Sequence, residues 1–164
     1  MKKTFLYLAL IAGIVLLDQI TKMMILKSIP RGTSRAVIPG FFNLSHVQNR
    51  GAIFGFFSNA SSPVISVVLT LASLTALGLV LFYFFKVPAK DRLLKFTLAL
   101  ILGGALGNQV DRVTRGFVVD FLEVYVKSFH WPSFNVADSC ITIGAILLVY
   151  IFFFRKGEKC SLCS

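Results

Sequence analysis

Four long apolar runs leave this 164-residue chain few ways to fold. They extend over about residues 4–26, 63–85, 93–110 and 136–154. At about 1.5 Å of rise per residue, a helix of about 20 residues crosses a bilayer core of about 30 Å. The first run follows Lys2 and Lys3 and has the outline of a cleavable signal peptide. No small-x-small cleavage site follows it, however; the chain continues as Asp18-Gln-Ile-Thr-Lys22, so a retained helix to about Leu26 is expected. Asp18 and Lys22 are four residues apart with the acid first, which places them on one helix face in the favourable order.

Composition agrees. Hydrophobic residues make up 56% of the chain and charged residues 15%, with mean hydropathy +0.80. That is too little charge to cover a soluble domain of this length. The expected fold is an all-α integral membrane protein with four transmembrane helices, one domain over residues 1–164. The net charge of +10 suggests either nucleic acid or anionic lipid as partner. No basic patch stands clear of the apolar runs; Lys and Arg flank them, as juxtamembrane residues do, so membrane lipid is expected and nucleic acid is not.

Charge density orients the chain. Lys2, Lys3, Lys86, Lys90, Arg92, Lys95, Arg155, Lys156 and Lys159 are nine of the 17 basic residues, packed into three short segments. The positive-inside rule puts those segments, and both termini, in the cytoplasm. The outer segments are then 28–62 and 112–135. The first has short apolar and aromatic stretches broken by Pro39-Gly40, which suggests short strands. The second, with Phe129-His-Trp-Pro, has aromatics suited to a membrane interface.

Of the seven acids, Asp91 and Glu158 fall in basic cytoplasmic segments and read as surface charges. The other five, Asp18, Asp111, Asp120, Glu123 and Asp138, map to the outer boundary. A carboxylate at the centre of a spanning helix costs about 2.5–3.5 kcal/mol, and less toward the interface, so this layer suggests a polar site. Asp138 starts the fourth helix, where it could either cap backbone N–H groups or serve chemistry. Asp120 lies in Val118-Val-Asp-Phe-Leu, an apolar context; it could pair with an arginine. Asp111 ends the third helix beside Arg112, where the helix dipole disfavours an anion and a pairing role is expected. Two carboxylates held close in a semi-dry site share a proton and offer a base and an acid together, as activation of water against an amide requires. Residue chemistry alone leaves Asp111, Asp120 and Asp138 open.

Other chemistries find less support. His46 and His130 lack metal spacing. Cys160-Ser-Leu-Cys163 has no second pair to complete a zinc site, and Cys140 reads as a small core residue. No metal and no cofactor are expected. Gly103-Gly-Ala-Leu-Gly107 has the spacing for close helix packing. A transporter could also hold outer acids, but the acids form one layer and no chain of them crosses the membrane. In a non-catalytic assembly factor the acids would merely pair with Arg112, Arg115 and Lys22.

Four segments, in order, resemble those of the bacterial type II (lipoprotein) signal peptidases. They are Asp18-Gln-Ile-Thr-Lys22, Asn49-Arg-Gly-Ala52, Gly103-Gly-Ala-Leu-Gly-Asn-Gln-Val-Asp-Arg112 with Val118-Val-Asp-Phe121, and Phe134-Asn-Val-Ala-Asp-Ser139. The resemblance covers essentially the whole chain. It implies four transmembrane helices with a small β-like periplasmic cradle, in the bacterial cytoplasmic (inner) membrane, with the active site on the outer face. It implies a metal-free aspartic endopeptidase, expected as a monomer, acting on diacylglyceryl-modified prolipoproteins just before the lipidated cysteine. The catalytic pair implied is Asp120 and Asp138, with Asp111 outside it. Asn108, Arg112 and Asn135 match positions that line or order the site. Asp18, Lys22, Asn49, Gly51 and Ala52 match further motif positions; Asp18 and Lys22 are expected to hold the first helix to the cradle, and Asn49 to bind substrate backbone. The tail Lys159-Cys-Ser-Leu-Cys-Ser matches no motif of the family.

Overall fold

A computed structural model describes residues 2–50, 63–88 and 90–154. In chain order the elements are α1 (Lys2–Ser28), β1 (Ser34–Ile38), β2 (Phe42–Asn49), α2 (Pro63–Lys86), α3 (Arg92–Arg115), β3 (Val118–Val126), β4 (Phe129–His130) and α4 (Val136–Phe154). The molecule is mostly helical with one small antiparallel sheet.

Three helical stretches among the described residues are long and apolar enough to cross a membrane: Thr4–Ser28, Arg92–Arg115 and Val136–Phe154. In α2 the apolar stretch is Leu71–Lys86. The helix α2 itself is 24 residues long. Among the described residues three candidate spans are recognised where the apolar runs suggest four.

α3 is the central helix and packs against α1, α2 and α4. Its glycines explain the close approach. A Cβ at Gly103 would come within 2.9 Å of Ile14 Cβ, one at Gly107 within 2.8 Å of Asp18 Oδ2, and one at Gly104 would collide with the Ala137 carbonyl oxygen. The run 103–107 is thus a packing surface for α1 on one side and α4 on the other. The core beneath it joins Ile11, Phe84, Leu94, Leu98, Leu102 and Ile151. Large side chains such as Phe5, Leu16, Val149 and Phe153 face outward, as lipid-facing positions do.

Two charges near the α2–α3 connection differ from the sequence reading. Asp91 is no plain surface acid; it caps α3, accepting from Leu94 N at 3.3 Å. Lys95 is buried inside α3, donates to the Phe84 carbonyl oxygen, and lies 4.3 Å from the centre of the Phe84 ring.

The sheet has the order β1-β2-β3-β4. Segment 28–62 supplies β1 and β2, in keeping with the strands expected there. The longest strand, β3, comes from 112–135, where no strand was expected; Val118-Val-Asp-Phe-Leu-Glu-Val-Tyr-Val has the β-branched and aromatic content of one. In the β2–β3 register Val47 opposes Asp120 and Asn49 opposes Val118, with a bulge between Leu44 and Val47. Ile25 of α1 and Ile29 just beyond its end pack with Val119 and Phe121, fixing the sheet to the helices.

Candidate active site

The site forms where the end of α3, the start of β3 and the start of α4 meet. α3 stops at Gly116, whose left-handed φ of 74° suits glycine and whose N–H reaches Arg112 O at 3.1 Å. The chain reverses and Asp120 enters the sheet three residues into β3. The approach to α4 is then pinned to β3: Phe121 N and Leu122 N both donate to Phe134 O, at 2.9 and 2.7 Å, and Phe134 N donates to Leu122 O at 3.0 Å. These bonds bring Asn135 and α4 against Asp120.

Asn135 is the joint. Its Oδ1 accepts from Asp138 N at 2.9 Å, and Asp138 Oδ2 accepts from Asn135 N at 3.3 Å. This reciprocal pair is a capping box at the start of α4. Asn135 Nδ2 donates to Asp120 Oδ1 at 2.7 Å. One residue therefore holds both carboxylates. The other oxygens are also engaged: Asn49 Nδ2 donates to Asp120 Oδ2 at 2.9 Å, and Asn108 Nδ2 donates to Asp138 Oδ1 at 2.8 Å. Asp120, Asp138, Asn49, Asn108 and Asn135 are all buried. The Arg112 guanidinium is half-buried and interacts with the charge of Asp138, then of Asp120 and Asp111.

Burial, and after it the negative charge of Asp138, push the Asp120 carboxyl up to about 7. Hydrogen bonds from Asn49 and Asn135 and the positive charge of Lys22 pull the other way. Such a carboxyl holds a proton near neutrality, the condition for an acid–base pair.

A second layer braces the first. Lys22 Nζ lies 2.7 Å from Asp18 Oδ2, 2.9 Å from Asp111 Oδ2 and 2.9 Å from Asn108 Oδ1. Asp18 Oδ1 accepts from Ala137 N at 3.0 Å, in the first turn of α4, and Asp111 Oδ2 accepts from Val119 N at 3.1 Å, beside Asp120. Asp18 and Lys22 thus tie α1 to α3 and α4, and Asp111 carries the link on to the sheet through Val119 N. Lys22 also orients Asn108, whose amide faces Asp138.

Gln19, which escaped the sequence reading, and Arg115, expected only as a partner for acids in a non-catalytic alternative, complete this layer. Gln19 Nε2 donates to Gly107 O at 3.1 Å and to Asp111 Oδ1 at 3.2 Å. Arg115 pairs with Asp111 and donates to Gln19 Oε1 at 3.0 Å. The i,i+4 spacing of Asp111 and Arg115 was the available signal. Gly51 and Ala52, together with Glu158 and the Cys160–Cys163 tail, lie outside the described residues.

Residues 10–154 match the family model described as Signal peptidase (SPase) II. The chain is 42% identical over 160 residues to the Lipoprotein signal peptidase of Syntrophus aciditrophicus (strain SB), covering 97% of this chain and 99% of that one. It is 47% identical over 141 residues to the Lipoprotein signal peptidase of Burkholderia mallei (strain SAVP1), covering 84% and 81%. A solved bacterial membrane enzyme structure, obtained by the in meso method, superposes with a TM-score of 0.73 at 34% identity over 94% of this chain and 91% of that one. A second superposes with a TM-score of 0.69 at 32% identity over 90% and 92%.

Proposed function

This chain belongs to the signal peptidase II family, and from that premise we propose that it is an intramembrane aspartic endopeptidase that removes the signal peptide from diacylglyceryl-modified prolipoproteins, cutting just before the lipidated cysteine. The observation that carries the reading is the joint at Asn135, which holds the buried carboxylates of Asp120 and Asp138 in one hydrogen-bonded unit.

The chemistry follows from that unit. The two aspartates share one proton and position a water. The ionised partner takes a proton from the water as its oxygen attacks the scissile carbonyl carbon, while the protonated partner polarises the carbonyl oxygen. Collapse of the tetrahedral intermediate breaks the C–N bond, and the departing amine takes a proton from the pair. Asn49, Asn108 and Asn135 hold the carboxylates in orientation, and Arg112 lends positive charge beside them. The reaction uses neither metal nor cofactor in this reading. The lipid chains of the substrate stay in the bilayer beside the helices, which sets the scissile bond at interface depth. Gly51 and Ala52 match further motif positions of the family.

The multi-pass arrangement is completed by α2 as a fourth crossing, with residues 1–164 forming a single monomeric peptidase domain. Both termini face the cytoplasm, and the site opens on the outer face of the bacterial cytoplasmic membrane, the inner one where there are two. The density of basic residues in the α2–α3 connection and at the termini supports that orientation.

The test is cleavage of a diacylglyceryl-modified lipobox peptide by the purified full-length chain, with an unlipidated peptide as control. Folded Asp120→Asn and Asp138→Asn variants are expected to lose cleavage, and a chelator to leave the unaltered chain active. Cleavage surviving in either variant removes that aspartate from the mechanism, and inhibition by the chelator brings in a metal.

A further inference from the structure

At the end of the sheet away from the candidate active site, two hairpin tips lie side by side. One is the β1–β2 connection around Pro39-Gly40, with Gly40 at φ 80°. The other is the two-residue turn Lys127-Ser128, which joins the paired residues Val126 and Phe129 and has Lys127 at φ 55°. Tyr125 locks the tips together: its N–H donates to Phe41 O at 2.9 Å, and its hydroxyl accepts from Gly40 N at 2.9 Å. The Tyr125 ring also stacks on His130, with centroids 5.0 Å apart.

The tips present apolar side chains outward. Val37, Ile38 and Phe41 are exposed on the first, and Val126, Phe129 and Trp131 on the second, with Phe129 at 65% exposure. None of these residues is in a spanning helix. Exposed apolar side chains on two tips held together in this way mark an interaction surface. Its charge narrows the partner. Arg35 and Lys127 are exposed beside the patch. Its carboxylate, Glu123, is already engaged by Asn43 Nδ2 at 3.0 Å and by His130 Nδ1 at 3.0 Å. Aromatic and aliphatic side chains ringed by cations are the composition of surfaces that settle into the headgroup region of anionic bilayers. The same chain already holds a bilayer through its apolar helices, so that surface is the nearest apolar phase.

We propose that the two hairpin tips insert into the lipid interface, with Phe41, Val126, Phe129 and Trp131 among the acyl-chain ends of the headgroup region and Arg35 and Lys127 on anionic lipid phosphates. The sheet then lies along the bilayer instead of standing in water. This anchors β2 and β3, and through them Asn49 and Asp120, at a constant depth. The inference rests on the membrane spans and is independent of the catalytic assignment.

Trp131 is the only tryptophan in the chain and sits in the patch, so its fluorescence reports the tip directly. The full-length protein is reconstituted in phosphatidylcholine vesicles, with or without phosphatidylglycerol, containing lipids brominated either near the headgroup or near the chain ends. The expected result is blue-shifted emission, quenched more by the shallow bromines, with quenching increased by phosphatidylglycerol. Combined Val126→Ser and Phe129→Ser substitutions are expected to lose that quenching, with helix content unchanged by circular dichroism. Water-like emission unquenched in every vesicle overturns the proposal and leaves the tip to a protein partner. Quenching that persists in the double variant also overturns it, since the tip would not then be the anchor. Indifference to phosphatidylglycerol overturns the part assigned to Arg35 and Lys127.

Discussion

Asn135 donates its side-chain N–H to Asp120 Oδ1 at 2.7 Å while its Oδ1 accepts from the backbone N–H of Asp138 at 2.9 Å. The residue that starts α4 is therefore also the one that orients the neighbouring strand's carboxylate. Asn135→Ser separates the two roles. Serine is as good a helix cap as asparagine, but its hydroxyl is too short to reach Asp120 as well. We expect kcat to fall about 100-fold, the scale of a misplaced reacting group. Asn135→Ala should show the same kinetic loss and about 1 kcal/mol less stability than Asn135→Ser, from loss of the cap. Steady-state cleavage and thermal unfolding in the same detergent check both; equal stability of the two variants would count against the capping role.

The Asp120 carboxyl, pushed up to about 7, sets the pH response. A raised carboxyl keeps its proton below that pH and loses it above. Cleavage needs one protonated and one ionised aspartate, so kcat/KM should fall as pH rises through about 7. The limb belongs to the pair and not to one residue. Asn49 donates to the ionised form of Asp120, so Asn49→Ala makes ionisation harder and should move the limb to higher pH. A pH profile on the lipidated peptide decides; a limb that stays or moves down contradicts the assignment.

Lys22 is fully buried between Asp18 and Asp111. Lys22→Met leaves those carboxylates without their shared cation, and breaking such a buried pair costs about 3–5 kcal/mol. Adding Asp18→Asn should recover part of that loss, because it removes one uncompensated charge yet keeps an acceptor for Ala137 N, while Asp111 retains Arg115. Thermal unfolding of the single and double variants measures the recovery. A double variant no more stable than Lys22→Met would show that the cost lies elsewhere.

Gly104 faces the first turns of α4 so closely that a side chain would strike the Ala137 carbonyl and come within 2.8 Å of Ile141 Cγ1. Gly104→Val should destabilise the fold by about 1–3 kcal/mol through overpacking. It should also lower cleavage, since Asn108 on α3 and Asp138 on α4 would be pushed apart. Gly13→Ala is the control. Nothing lies within 4 Å of that position, and alanine favours a helix by about 1 kcal/mol over glycine. Equal effects of the two changes on cleavage would remove the helix contact from the explanation.

Much of the helical frame was legible in the chain itself. An apolar run of spanning length is a local property, and Thr4–Ser28, Arg92–Arg115 and Val136–Phe154 need no partner to be recognised. The small residues at 103–107 likewise announced a close helix contact, because only a missing side chain lets two helix backbones approach so nearly. The pairing of Asp18 with Lys22 followed from one helix turn. β3 was less legible. Its sequence has strand-forming residues, but its first four residues are buried on both faces, so the alternation that marks a half-exposed strand is missing.

What the sequence by itself determined is the membrane-bound helical frame, with an expectation that five of the seven acids gather at one boundary of it. Only the tertiary structure decided how those groups are divided. Asp111 went to Lys22, Arg115 and the Val119 N–H, while Asp120 and Asp138 were drawn together on Asn135. The reason is range. Periodicity and capping act within a few residues of one element. The meeting of Asp120 with Asp138 depends on the left-handed turn at Gly116, the β2–β3 register and the hydrogen bonds from Phe134 to β3, which join segments that no local pattern relates.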